Sequence, residues 1–146
     1  MAVMPRREPA FEAESEAYSL FQRGVAFLRE HHPAQAAMLL AQALRLEPGK
    51  NSIREALGRA EFALGMHQHA AERFRDVVGD APDNDYAHYA LGRCLLELRR
   101  PDEAQAHLRL AHALEPRSDL YRKALSALDQ PAPRGQRGVR RRGAPH

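Results

Sequence analysis

The stretch LAQALRLEP, residues 40–48, and the stretch LAHALEP, residues 110–116, end on prolines 68 residues apart. Sixty-eight is twice 34, and Pro82, which closes VVGDAP at residues 77–82, lies halfway between them. Frames of 34 residues ending two positions past each proline cover 17–50, 51–84 and 85–118. Glycine recurs at Gly24, Gly58 and Gly92, alanine at Ala36, Ala70 and Ala104, and proline at Pro48, Pro82 and Pro116. Three unlike residue types keep one period, so the chain writes one structural unit three times.

Each unit reads as two helices. In the third, YAHYALGRCLLELRR sets Leu91, Leu95 and Leu98 at helical spacing, and PDEAQAHLRLAHALEP does the same with Ala104, Leu108, Ala111 and Leu114. Pro101 stands where the second helix should begin, with Asp102 and Glu103 near the positive end of its dipole. Pro116 should stop that helix, because proline lacks an N–H and crowds the preceding turn. Small residues at fixed points allow two helices to approach, so Gly92 and Ala104 mark the expected crossing of an antiparallel hairpin.

This pattern resembles the tetratricopeptide repeat, a 34-residue helix–turn–helix with small and large residues in fixed order. The third frame matches its signature at Leu91, Gly92, Leu95, Ala104, Leu108, Ala111 and Pro116, with His88 where a large apolar residue is expected. The first matches at Leu20, Gly24, Phe27, Ala36, Leu40, Ala43 and Pro48, with Arg23 as the departure. The second matches at Leu57, Gly58, Ala70, Phe74, Val77 and Pro82, but carries Arg54 and Glu61 at two apolar positions, which predicts a looser hairpin. Arg23 is explained by the missing neighbour on one side of the first hairpin. The resemblance implies an all-α, right-handed superhelical solenoid of three hairpins over residues 16–130. A stack of hairpins needs a lid on its last apolar face. SDLYRKALSALDQ offers one: Ser118 or Asp119 can cap a helix over 119–129 whose Leu120, Ala124, Leu125 and Leu128 form an apolar stripe.

Bulk composition sets outer bounds. The 146 residues suffice for one domain, 44% apolar and 28% charged, as in soluble globular proteins. No run approaches the ~20 apolar residues of a membrane helix. The opening MAVMPRREPAFEAESEAY lacks the apolar core of a signal peptide, and the single Cys94 permits no internal disulfide. A cytoplasmic setting is the expectation, and 20 arginines against two lysines, with abundant alanine, suggest a GC-rich, bacterial genome. The net charge of +3 is not evenly spread. Residues 131–146 hold five arginines and no acid, which leaves 17 basic and 19 acidic residues, a net of −2, on the rest.

Catalytic chemistry finds no foothold. The eight histidines, His31, His32, His67, His69, His88, His107, His112 and His146, form no HExxH, and no paired CxxC or glycine-rich phosphate loop accompanies them. His67 and His69 fall at a helix–helix turn and read as solvated side chains. Cys94, one turn from Leu91 and Leu98, reads as a core residue with no base beside it. Neither an enzyme activity nor a cofactor or metal is expected.

Binding has the better geometric case. At about 100° per residue, positions two, five, nine and thirteen of each first helix turn away from its signature face. The resemblance implies that these positions line a concave groove. They are Tyr18, Phe21, Val25 and Arg29, then Ser52, Glu55, Arg59 and Ala63, then Tyr86, Tyr89, Arg93 and Glu97. Tyrosine and arginine dominate interface hot spots, although Glu55 and Arg59, four apart, also suit a plain intrahelical pair. Chaperone-binding members of the family grip a chain-terminal carboxylate through Lys, Asn and Arg. Their positions here hold Phe21, Val25, Ala56, Tyr86 and Ala90, none of which holds a carboxylate that way. The resemblance therefore implies a more apolar partner segment laid along the groove.

The termini complete the picture. Residues 1–15 are expected to be mobile, although AFEAESEAY can extend the first helix backwards. The tail PAPRGQRGVRRRGAPH has one aliphatic residue, Val139, and is expected to be disordered. Its Arg134, Arg137, Arg140, Arg141 and Arg142 suit nucleic-acid phosphates or an acidic protein, without aromatics for base stacking. The expected function is non-catalytic protein–protein interaction through the groove. The alternative is a nucleic-acid-associated factor that binds through the tail, and self-association through Tyr86 and Tyr89 is a third reading.

Overall fold

The structure, a computed structural model, describes residues 9–130. Seven helices follow one another: α1 (Pro9–Arg29), α2 (Pro33–Leu46), α3 (Asn51–Ala63), α4 (His67–Asp80), α5 (Asp85–Glu97), α6 (Pro101–Leu114) and α7 (Asp119–Leu128). They pair as the hairpins α1–α2, α3–α4 and α5–α6, which stack with α2 on α3, α4 on α5 and α6 on α7. Among the described residues there is no strand. The architecture is an all-α helical repeat. Local chemistry sets the boundaries. Pro33 and Pro101 open α2 and α6, where a missing N–H costs nothing. Asn84 Oδ1 caps α5 by accepting from the Ala87 amide at 3.0 Å. Ser118, not Asp119, caps α7 through the Tyr121 amide at 3.3 Å. α1 starts at Pro9, so AFEAESEAY does extend the first helix, and helix covers residues 9–15 of the segment expected to be mobile.

The periodic glycines let the helices of each hairpin touch. A Cβ on Gly24 would stand 2.6 Å from Leu40 Cγ, one on Gly58 2.8 Å from two ring carbons of Phe74, and one on Gly92 2.8 Å from Leu108 Cγ and 3.3 Å from the Ala104 carbonyl oxygen. All three opposing side chains are buried. The expected crossing at Gly92 and Ala104 is where α5 and α6 meet.

A second period, not evident from the sequence, sits in the turns. His31, Gly65 and Arg99 occupy the same place in the three frames and share a left-handed backbone, with φ of 62°, 77° and 61°. Each is followed by an amide that reaches back over the helix end: His32 to the Phe27 carbonyl at 2.8 Å, Met66 to Glu61 at 2.9 Å, and Arg100 to Leu95 at 2.9 Å. This is the Schellman closure that satisfies the last free carbonyls. Only the second repeat gives that position to glycine.

The departures from the signature are accommodated rather than loosening the stack. Glu61 is 4% exposed, and Arg73 Nε donates to its Oε1 at 3.1 Å. Burial pushes the carboxyl above the ordinary range, while Arg73 opposes that rise. Arg54 is half-buried and donates to Asn51 Oδ1 at 2.9 Å. The looseness expected of the second hairpin is therefore corrected: Ile53, Leu57, Phe74 and Val77 are all buried in it. His88, 3% exposed, stacks on His107 with ring centroids 5.3 Å apart. Its Nε2 donates to the Pro82 carbonyl at 2.8 Å, which leaves Nδ1 to meet His107 Nδ1 at 3.1 Å. Arg23 is exposed, as expected of a first hairpin.

The lid differs in one residue. Leu120 is 53% exposed, and Tyr121 takes the buried place expected of it, beside Ala124, Leu125 and Leu128. The Tyr121 hydroxyl donates to Asp85 Oδ2 at 2.7 Å, which ties α7 to the start of α5. Tyr121 is one position past Leu120, a rotation of about 100° on a helix.

Candidate functional site

The first helices of the hairpins, α1, α3 and α5, share one trough. It consists of three pockets that hand over residues to one another. The first, about 190 Å³, is lined by Arg59, Phe62, Phe74, Tyr86, Tyr89, Ala90 and Arg93. The second, about 460 Å³, shares Arg59 and Tyr86 with it and adds Phe21, Val25, Ser52, Glu55 and Ala56. The third, about 350 Å³, shares Phe21 and Ser52 and ends among Glu14, Tyr18, Glu47 and Lys50. Helical spacing puts these side chains in line, because each residue follows the last by one turn or by one repeat.

Most of the residues singled out in the sequence are brought together here. Tyr18, Phe21, Val25, Ser52, Glu55, Arg59, Tyr86, Tyr89 and Arg93 all line the trough. Arg29 and Glu97 stand at the C-terminal ends of α1 and α5, beyond the three pockets. Ala63 is likewise at the end of α3. Tyr89 is 8% exposed and its ring is 5.1 Å from that of Tyr121, so it forms the floor of the trough. The lid helix makes the difference, since the residue that covers Tyr89 belongs to α7.

Glu55 and Arg59 do not form the suspected intrahelical pair. Glu55 Oε1 accepts from Asn84 Nδ2 at 2.6 Å, across to the next repeat. Arg93 places its guanidinium carbon 4.6 Å over the Phe62 ring and 5.9 Å from Tyr89. Tyr86 meets Phe74 edge-on at 6.2 Å and Tyr89 at 6.3 Å, so four rings run from the trough floor to the lid. Burial raises the Tyr86 and Tyr121 phenols, the latter helped by Asp85, and both remain neutral hydrogen-bonding groups near neutral pH.

Sequence reasoning misses Phe62, which lies three residues after Arg59 and so on its face. Phe74 reads from sequence only as core, yet its ring also reaches the first pocket. His67 is half-buried at the start of α4, its ring 4.9 Å from Phe62 and its Nε2 3.9 Å from Glu97, so it is not a solvated turn residue.

Other chemistry has little to work with. Cys94 is fully buried, and burial pushes its thiol up to about 11, far from a reactive thiolate. Among the described residues, no three His, Cys, Asp or Glu side chains converge to hold a metal, and no helix is long and apolar enough to cross a membrane. Arg134, Arg137, Arg140, Arg141 and Arg142 lie outside the described residues.

Comparison with known proteins agrees with this architecture. No curated protein matches the chain. Among solved structures, the TPR domain of Arabidopsis OM64 superposes with a TM-score of 0.77 at 22% identity, over 80% of this chain and 96% of that one. The second TPR domain of human RPAP3, solved with the HSP70 peptide SGPTIEEVD, gives 0.76 at 16% identity over 82% and 99%. The first TPR domain of Spaghetti (RPAP3), bound to the HSP90 peptide SRMEEVD, gives 0.76 at 17% identity over 80% and 93%. At these identities the likeness is one of fold. Two tetratricopeptide-repeat family models match the sequence itself, over residues 21–72 and 61–128, and overlap within the second hairpin. With both the periodic signature and the stacked hairpins in place, the chain belongs to the tetratricopeptide-repeat family.

Proposed function

We propose that this protein is a non-catalytic interaction module that seats a segment of a partner protein along the α1–α3–α5 trough. The observation that carries the reading is continuity: three pockets share residues in sequence, from Lys50 at one end to Arg93 at the other. A continuous trough suits an extended or helical segment better than a compact small molecule. Its aromatic and arginine lining supplies the residue types that dominate binding energy. The peptides held by the RPAP3 domains support a segment as the class of partner. A grip on a chain-terminal carboxylate is not proposed here, because Phe21, Val25, Ala56, Tyr86 and Ala90 stand where the resemblance implies polar and basic groups for it.

Site-specific photo-crosslinking tests this. A photoreactive residue in place of Ser52, exposed within the trough, is expected to capture a discrete partner in cells. The same residue in place of Gln42, exposed on α2, is expected to capture nothing comparable. Equal capture from both positions, or capture from Gln42 alone, overturns the trough as the binding surface.

A further inference from the structure

The pocket at the α5 end of the trough carries chemistry that the rest of the trough lacks, and its role as a binding site rests on the trough being the binding surface. Arg59 and Arg93 hold the same position in successive repeats and are both exposed on its rim. Arg73, Arg75 and Arg122 each face a carboxylate, Glu61, Glu103 and Asp119 respectively. Arg59 and Arg93 have no acidic partner within 4 Å among the described residues. Both acids of α3 are already engaged, Glu55 by Asn84 and Glu61 by Arg73. Arg93 lies over Phe62, so its ring-facing side is covered and its N–H edge remains for an acceptor. Phe62, Tyr86 and Ala90 line the same pocket as the two arginines. The volume of about 190 Å³ falls below the ~300–1,000 Å³ of small-molecule sites and suits one or two side chains.

We propose that this pocket is an acid-plus-apolar anchor. It receives an Asp or Glu side chain of the partner segment together with an adjacent aromatic or aliphatic residue. Arg59 and Arg93 hold the carboxylate through charge-assisted hydrogen bonds, and Phe62, Tyr86 and Ala90 hold the apolar neighbour. A protein segment fits better than a nucleic acid. A phosphate backbone continuing down the trough would meet Glu55 and then Glu14 and Glu47 against one cation, Lys50, whereas a segment with a single local acid avoids that repulsion.

The test is selection of random dodecamers displayed on phage, fused through their C-terminal ends so that no free terminal carboxylate is offered, against the full chain. In the aligned selected peptides, Asp or Glu at one fixed position beside a shared Phe, Tyr, Trp or Leu is expected about fivefold more often than at a position of the starting library, the scale of one charge-assisted contact. The exposed double variant Arg59→Glu/Arg93→Glu, with its melting profile checked by circular dichroism, is expected to select Lys or Arg beside the same apolar residues. Ser52→Trp, which fills the trough away from this pocket, separates the two readings. Peptides lost in Ser52→Trp that show no acid preference, or keep it after charge reversal, overturn the anchor and leave the trough standing. Selection that yields no peptide sensitive to either Ser52→Trp or the charge reversal overturns both. A single-stranded RNA 12-mer that displaces the selected peptides and fails to bind the double variant assigns the arginines to phosphates and overturns the anchor.

Discussion

The second and third hairpins each bury one polar residue where the repeat signature asks for an apolar one, and they accommodate it by different means. In α3–α4 the residue is Glu61, a charge, and Arg73 from the facing helix meets it at 3.1 Å. In α5–α6 it is His88, an imidazole held at both ring nitrogens, by His107 and the Pro82 carbonyl. A buried carboxylate with one partner fails when that partner goes, whereas the imidazole distributes its demand over two hydrogen bonds. The repeat signature therefore describes a volume to be filled, and polar atoms are tolerated there when the neighbouring helix completes them.

The largest expected effect breaks that difference directly. Arg73→Met should cost about 3 kcal/mol, the lower end for an orphaned buried charge, because Arg73 is 28% exposed and water screens part of the loss. Adding Glu61→Leu should restore wild-type stability or exceed it. Urea midpoints of the two variants check this, and a harmless Arg73→Met would show that water reaches Glu61.

Gly58→Ala and Gly92→Ala come next and ask whether the two hairpins are equally tight. Each adds a methyl within 2.8 Å of a buried side chain. The overpacking should outweigh the gain in helix propensity and leave a net loss of about 1–2 kcal/mol in thermal or urea unfolding. A stabilised Gly58→Ala would mean that the Phe74 ring can withdraw.

The turns sharpen the comparison at a smaller scale. Arg99→Gly should raise stability by about 1 kcal/mol and Gly65→Ala should lower it by a similar amount, since φ is positive at both positions. Calorimetric melting of the pair decides it, and an unchanged Arg99→Gly would show that the arginine gains elsewhere what its backbone loses.

The smallest effect is a pH slope of opposite sign in the two hairpins. Burial, then His88 and Arg75, lower the affinity of His107 for a proton, against Glu103. The unfolded chain therefore takes up more protons there, and stability is lost as pH falls below about 6.5. Glu61 is raised instead, so the folded state takes up the extra proton, and its contribution improves as pH falls toward 4.5. His107→Gln should flatten the acid loss of stability between pH 7.5 and 5.5, and Glu61→Gln should steepen it, as read from urea midpoints across pH. Identical slopes in all three proteins would remove both assignments.

Much of this architecture is legible in the sequence because it is written in residues whose meaning is local or periodic. Pro33, Pro101 and Pro116 mark helix ends through backbone chemistry alone, and Gly92 announces a close crossing because no other residue permits one. The trough is legible in outline for the same reason, since positions on one helix face stay on one face wherever the helix goes. Tyr89, Leu120 and Glu55 depart from expectation because their surroundings come from elsewhere: Tyr121 on α7 covers the first and displaces the second from the core, and Asn84, 29 residues away, takes the third. The left-handed turns are hidden because His31 and Arg99 do not carry the glycine that signals them.

The sequence by itself thus determined the repeat, its hairpins, their number and the line of residues along the inner face, all consequences of a 34-residue period and helical geometry. Only the tertiary structure decided which of those residues are free. Burial and pairing are properties of neighbours, and in a solenoid the neighbours of any residue lie a whole repeat away. Thus, among the described residues, Arg59 and Arg93 were left without an acidic partner at the α5 end of the trough, while Glu55 and Tyr89 were taken up by the stack.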